Sequence, residues 1–239
     1  MKISLLENEV NYVQYGSGKD IVLLHGWGQN IQMMRPIGDK LCDKFRITII
    51  DFPGFGESNE PKEAWDVDKY TTLVEELVKK LDIKNPIMIG HSFGGRVSIK
   101  YSSRNKVDKV VLFGSPCIRN EKNVSKKVKL LKKIKKIPGL NLLGEFMKKF
   151  IGSRDYKAAS PIMRQTLVNV VNEDLSEDAK KIKAPTLLIW GENDTEAPLE
   201  DAKELEKILK DGALIVLPGT HYAYLENLNY VIEILNKFF

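Results

Sequence analysis

Three short runs most constrain the fold. Ile21–Leu24, Ile47–Ile50 and Ile87–Ile89 are apolar but for Thr48, and breakers follow them in "IVLLHG", "FRITIIDFPGFG" and "NPIMIG". A strand with one wet face alternates apolar and polar residues, whereas a strand apolar throughout has to be covered on both faces. "VDKVVLFGSP", "APTLLIWGEND" and "ALIVLPG" repeat the pattern. Helical spacing separates the runs. "TTLVEELVKKLDI" places Leu73, Val74, Leu77, Val78 and Leu81 on one face, "GGRVSIKYSSR" continues as a helix, "PLEDAKELEKILK" opens on proline, and "YVIEILNKFF" closes the chain as an amphipathic helix. "KISLLENEVNYVQYG" reads as a hairpin turning about Glu7–Glu9. This alternation predicts an α/β fold: a mostly parallel, twisted sheet of about eight strands with helices on both faces. In such sheets crossovers are right-handed and function gathers at the C-terminal strand ends.

One interruption breaks the alternation. Ser115–Lys183 contains no convincing strand, and Arg119–Glu177 is read as a helical cap, a lid over the sheet edge. Residues 1–118 and 178–239 then form the core, and 119–177 the cap. The net charge of +5 divides unevenly. Arg119–Lys157 holds 13 Lys+Arg against 3 Asp+Glu, a net of +10, so the rest of the chain carries −5. At 239 residues and 43% hydrophobic the chain can bury a sizeable core. Its apolar runs are far too short to span a bilayer. "MKISLLENEVNY" is a poor signal peptide. Cys42 and Cys117 have no metal-like spacing, so a reducing, cytoplasmic setting is expected, with each thiol a surface or core residue.

Gly90-His91-Ser92-Phe93-Gly94 matches G-x-S-x-G between a strand and a helix, the context that motif needs. A sharp strand-to-helix turn strains the serine backbone, and side chains at Gly90 and Gly94 would collide with neighbouring main chain. The turn exposes the Ser92 hydroxyl and places the Phe93 amide at a helix N-terminus, where negative charge is stabilised. The alternative is an ordinary serine in a glycine turn.

A serine needs a base, and the base needs an orienting group. Of three histidines, His25 ends an early strand, His91 abuts Ser92 with its ring expected to point away, and His221 follows the last strand. Only His221 is placed to reach Ser92 across the strand ends; packing is the leading reading of the other two. The orienting acid is expected at the end of a strand between serine and histidine. "WGENDTEAP" offers Asp194, with Glu192 and Glu196 as competitors, and the G-x-x-D spacing from Gly191 favours Asp194. The preceding strand end, "LFGSP", offers only Ser115. "LLHGWGQN" supplies a turn flanked by Gly26 and Gly28, whose Trp27 amide is the natural second oxyanion donor beside Phe93.

Taken jointly, "HGWG", "DFPGFGES", "GHSFGG", "WGENDTEAP" and "GTHYAYLEN" resemble the α/β-hydrolase superfamily over nearly the whole chain. The resemblance implies Ser92, Asp194 and His221 as nucleophile, acid and base, Trp27 and Phe93 as oxyanion amides, and a structural role for Asp51. It implies a serine hydrolase acting on esters or thioesters, with no metal and no organic cofactor. A C–C bond hydrolase of ring-cleavage dienoates is the rival, with Arg35, Arg96, Arg119, Arg154 and Arg164 as candidate carboxylate holders. A non-catalytic ligand-binding homologue is a further alternative. "HGWGQN" and the small size also resemble the pimeloyl-carrier-protein methyl ester esterases, and a basic cap would suit an acidic carrier. "NVSKKVKLLKKIKKIPGL" is otherwise a lysine face over an apolar stripe that roofs the pocket, or a contact for an anionic surface. Nucleic acid is not expected, since no recognition fold accompanies the patch.

Overall fold

The computed structural model describes residues 1–118 and 159–239. The apolar runs form six adjacent strands of a single sheet: β3 (Lys19–Leu24), β4 (Phe45–Ile50), β5 (Ile87–His91), β6 (Lys109–Phe113) and β7 (Thr186–Gly191) are interior, whereas β8 (Gly212–Leu217) is the edge strand and, contrary to its apolar sequence, is only partly covered, with Val216 exposed. The N-terminal hairpin supplies β1 (Lys2–Leu5) and β2 (Asn8–Tyr15). The order is β1-β2-β4-β3-β5-β6-β7-β8, eight strands in all. Only the β1/β2 and β2/β4 pairs are antiparallel. The parallel part is in close register at its C-terminal end, where Leu24 pairs with Gly90, His91 with Phe113, Phe113 with Ile189, and Gly191 with Leu217. That register brings the loops after β3, β5, β6, β7 and β8 to one edge.

The period-2 alternation of each strand divides the core. Val22, Leu24, Met88, Leu112, Leu188 and Trp190 face α2 (Val67–Lys80), α3 (Phe93–Arg104) and α6 (Leu199–Ile208). Ile21, Leu23, Ile47, Ile89, Val111 and Ile189 face α1 (Ile31–Leu41) and α7 (Leu228–Phe238). Each such buried side chain contributes about 1.5–3 kcal/mol of transfer free energy, which is why the central strands tolerate no polar face.

Helix α1 has no counterpart in the sequence reading. Pro36 lies inside it and removes one helical N–H, a feature that argues against a helix. Packing overrides that cost. Ile31, Met34, Ile37 and Leu41 are buried against the sheet, and Asn30 caps the helix by accepting the Gln32 N–H at 3.0 Å.

Of the cap expected over 119–177, residues 119–158, with the basic cluster, lie outside the described residues. The remainder forms α4 (Pro161–Asn172) and part of α5 (Ser176–Ala179). Helix α4 is docked on the core: Trp65 N–H donates to Thr166 Oγ1 at 3.0 Å, and Asn169 Nδ2 donates to the Trp65 carbonyl at 3.1 Å. The buried Arg96 guanidinium donates to the carbonyls of Pro116 (2.7 Å) and Glu173, which tethers the chain before residue 119 and again near the end of the insertion to α3. Among the described residues, no helix is long and apolar enough to cross a membrane.

Candidate active site

Strand β5 ends at His91 and α3 begins at Phe93, so Ser92 is the whole turn between them. Its backbone sits at φ +50°, ψ −113°, a region that L-residues occupy only under strain. The surroundings hold it there. Ser92 N–H donates to the Phe113 carbonyl at 2.9 Å, and its own carbonyl accepts the N–H groups of Gly95 (3.0 Å) and Arg96 (3.2 Å). A Cβ on Gly94 would run into the Leu24 and His25 carbonyl oxygens, and one on Gly90 into the Gly94–Gly95 backbone. The side chain of Ser92 is half-buried. Phe93 N–H is the first of α3 and has no helical acceptor. The Trp27 ring stands edge-on to the Phe93 ring, centroids 5.6 Å apart.

His221 lies in the turn after β8, and Asp194 in the turn after β7. Both are buried, and His221 Nδ1 lies 2.8 Å from Asp194 Oδ2. The other oxygen, Oδ1, accepts the N–H groups of Glu196 and Ala197, both at 2.8 Å. Gly114, at the end of β6, lies directly beneath this pair: a Cβ there would stand 3.0 Å from His221 Nδ1 and 3.1 Å from Asp194 Oδ2. Ser92 is bonded to the neighbouring Phe113, so all three residues gather over the end of β6. Glu192 and Glu196 do not take the Nδ1 position. Glu192 accepts from Asn193 Nδ2 at 3.3 Å, while Glu196 Oε2 stands 3.6 Å from the opposite ring nitrogen, Nε2. Among the described residues Ser92 Oγ makes no hydrogen bond. The Ser115 hydroxyl donates to main-chain carbonyls at Phe113 (3.0 Å) and Gly90 (3.3 Å). Asp51 accepts from Asn11 Nδ2 (2.8 Å), Ile31 N–H (2.7 Å) and Glu57 N–H (2.9 Å), a buried anchor that joins β2, the start of α1 and the loop after β4.

Comparison with known proteins agrees with this topology. The family model for the alpha/beta hydrolase fold matches residues 20–135. The AB hydrolase superfamily protein YisY of Bacillus subtilis is 28% identical over 93% of this chain and 92% of its own. The chain has the α/β-hydrolase fold. A pimeloyl-[acyl-carrier protein] methyl ester esterase of Nitrosospira multiformis is 28% identical over 88% of this chain and 90% of its own. The crystal structure of an esterase from Exiguobacterium antarcticum superposes with a TM-score of 0.79 at 22% identity, covering 99% of this chain and 98% of that one.

In this α/β-hydrolase fold the other two histidines are buried supports. Phe52 N–H donates to His25 Nε2 at 3.0 Å, so Nδ1 carries the proton and donates to the Gly26 carbonyl at 2.7 Å. The ring ties the loop after β3 to the loop after β4. His91, the last residue of β5, joins two loops: Nε2 lies 3.1 Å from the His221 carbonyl, and Nδ1 lies 3.1 Å from Gln29 Oε1. Gln29 Oε1 also accepts Gly26 N–H at 3.0 Å, and Gln29 Nε2 donates to Tyr222 Oη at 3.4 Å. Gln29 and Tyr222 fall within the stretches "HGWGQN" and "GTHYAYLEN", but nothing in those stretches foretells their contacts, because their partners lie about 60 and 190 residues away in sequence.

Burial pushes His25 down to about 4 and, with neighbouring His221, His91 down to about 3. Both remain neutral in the fold, whereas the unfolded chain protonates them near pH 6.5. The unfolded state therefore binds more protons, and stability is lost as pH falls from about 6.5 toward 3. Around pH 5 the two groups together should cost roughly 2–3 kcal/mol per pH unit. Denaturant titrations between pH 7 and 4.5 measure the slope, and a flat profile would contradict buried neutral imidazoles.

Beside Trp27 opens a cleft of about 250 Å³, lined by Trp27, Phe55 and Met163 with Ser160 and Glu60 at the polar end. Trp27 and Phe55 meet edge-on at 4.8 Å, and Ser160 Oγ donates to Glu60 Oε1 at 2.5 Å. A larger cavity, about 600 Å³, lies at the opposite edge between the end of α3 and the Lys181–Pro185 loop, so size alone does not mark the site.

Proposed function

We propose that this hydrolase cleaves carboxylic esters, or thioesters, through an acyl-enzyme on Ser92. The observation that carries the reading is the buried His221–Asp194 pair: Asp194 Oδ1 is occupied by two backbone donors and Oδ2 is aimed at Nδ1, over the strand end that also holds Ser92. His221 takes the Ser92 proton as the oxygen attacks the carbonyl carbon. Asp194 holds the Nδ1–H tautomer and stabilises the imidazolium. The Trp27 and Phe93 amides receive the developing oxyanion. His221 then protonates the leaving group, and water, deprotonated by the same base, releases the acid. Similarity to the Nitrosospira methyl ester esterase supports an ester as substrate.

Of the candidate carboxylate holders, Arg119 and Arg154 lie outside the described residues, and two of the others, Arg35 and Arg96, do not favour the dienoate alternative. Arg35 pairs with Asp39 on α1 at 3.6 Å, and Arg96 is committed to main-chain carbonyls. A fluorophosphonate probe followed by intact and peptide mass spectrometry is expected to label Ser92, and a chain-length series of p-nitrophenyl esters to be turned over. Labelling elsewhere, or turnover of a coloured dienoate with no turnover of any ester, would refute the reading.

A further inference from the structure

The turn after β3 is closed twice by the same residue. Gln29 N–H donates to the Gly26 carbonyl at 3.2 Å, and Gly28, at φ +71°, supplies the left-handed third position of the turn. The Gln29 side chain then comes back to Gly26, with Oε1 accepting the Gly26 N–H at 3.0 Å. Both main-chain groups of Gly26 are therefore engaged by Gln29. The peptide joining Gly26 to Trp27 is planar and trans, so the Trp27 N–H points opposite to the Gly26 carbonyl. Holding that carbonyl aims the N–H. Among the described residues the Trp27 N–H donates to nothing.

The same amide reaches the histidine loop. Gln29 Nε2 donates at 3.4 Å to the hydroxyl of Tyr222, the residue after His221. Gln29 Oε1 lies 3.1 Å from His91 Nδ1, and His91 Nε2 lies 3.1 Å from the His221 carbonyl. The His91 and His221 rings stand 4.7 Å apart. A neutral imidazole has one N–H for these two acceptors, so one contact is a hydrogen bond and the other is held by its surroundings. Gly26 belongs to those surroundings: a Cβ there would stand 2.8 Å from His91 Nδ1 and 3.0 Å from Gln29 Oε1. Its φ is not left-handed, so this position is glycine for space alone.

We propose that Gln29 is a positioning residue for the hydrolysis, its one amide setting the Trp27 oxyanion donor and the His221 loop relative to each other. The proposal rests on the ester reading above and deepens it. Gln29 acts through the Gly26 peptide on one side and through His91 and Tyr222 on the other, not on the substrate. The reaction needs both ends at once. An oxyanion donor works only within hydrogen-bond reach of the developing charge, and the base only in line with the serine hydroxyl. A displacement of about 1 Å in either costs about 10²-fold.

Gln29→Met keeps the length of the side chain and removes its donor and acceptor. Gln29→Asn keeps the amide and draws it back by one methylene. Each is assayed on the p-nitrophenyl ester that the wild type turns over best, and each is titrated with an alkylboronic acid of the same chain length, which forms a tetrahedral adduct on Ser92. Both variants are expected to lose about 10–100-fold in kcat/KM. The boronate Ki should rise by a similar factor, because the adduct uses the same amides and the same histidine as the transition state. Ki does not depend on how much of the protein is folded, so it separates a displaced site from a smaller folded fraction. A kcat/KM within about threefold of wild type in both variants would overturn the inference. So would a fall in kcat with Ki unchanged, which would make Gln29 a support of folding only. Both results leave Ser92-dependent hydrolysis standing. Wild-type protein that turns over no ester, binds no boronate and is not phosphonylated at Ser92 would overturn the ester reading and this inference together.

Discussion

Ser92→Ala is expected to lower kcat on any accepted ester by about four to six orders of magnitude. The remaining rate would come from the two amides and from binding, neither of which needs the hydroxyl. Turnover within tenfold of wild type would remove Ser92 from the mechanism. The same position makes a second, independent prediction about stability. At φ +50° every side chain with a Cβ is strained, and the surrounding bonds to Phe113, Gly95 and Arg96 fix the turn whatever occupies it. Ser92→Gly should therefore be about 1 kcal/mol more stable than Ser92→Ala in denaturant titrations, since both lack the hydroxyl and only glycine relaxes at positive φ. Equal stability of the two variants would show that the elbow stores no strain. The local rule broken at this one residue is the rule that a nucleophile raised clear of its strand has to break.

Much of this architecture is legible because parallel strands write themselves plainly. A strand covered on both faces is apolar throughout, and Gly26, Gly90, Gly114 and Gly191 mark where four of those strands give way to loops. The loops after β5 and β7 follow two of these glycines, and the loop after β8 carries Gly219, which is what singles out Ser92, Asp194 and His221 as candidates. Their contacts are another matter. Asp194, Glu192 and Glu196 share one short stretch, and only the backbone path of the turn decides that Asp194 meets Nδ1 while Glu196 meets Nε2. Helix α1 was hidden by Pro36, whose lost hydrogen bond is outweighed by four buried apolar side chains. The cleft was hidden for a topological reason. Trp27, Phe55, Glu60, Ser160 and Met163 come from three segments, and no period or spacing relates them. The Gln29–His91–Tyr222 network belongs to the same class, being assembled by strand register rather than by local sequence.

Asp194→Asn should lower kcat by about 10⁴-fold while leaving the melting temperature within a few degrees of wild type. The argument turns on which way the new amide faces. In the native protein Oδ1 accepts two main-chain N–H groups, from Glu196 and Ala197, and Oδ2 faces His221 Nδ1. An amide nitrogen at the Oδ1 position would oppose two donors that have no other acceptor there. Each such clash costs as much as an unmade buried hydrogen bond, about 1–3 kcal/mol. The amide carbonyl therefore keeps the two backbone donors, and the amide nitrogen is left facing His221. Nδ1 has to offer a lone pair to it, which moves the ring proton to Nε2. That nitrogen then cannot take the Ser92 proton, although no atom has moved appreciably. Asp194→Ala makes the complementary test, since it leaves the tautomer free but releases both backbone donors and the ring. It should lose activity and stability together, whereas Asp194→Asn loses activity alone. A loss below tenfold in Asp194→Asn would mean that Asp194 only holds the turn after β7, and that the orienting carboxylate for His221 lies elsewhere.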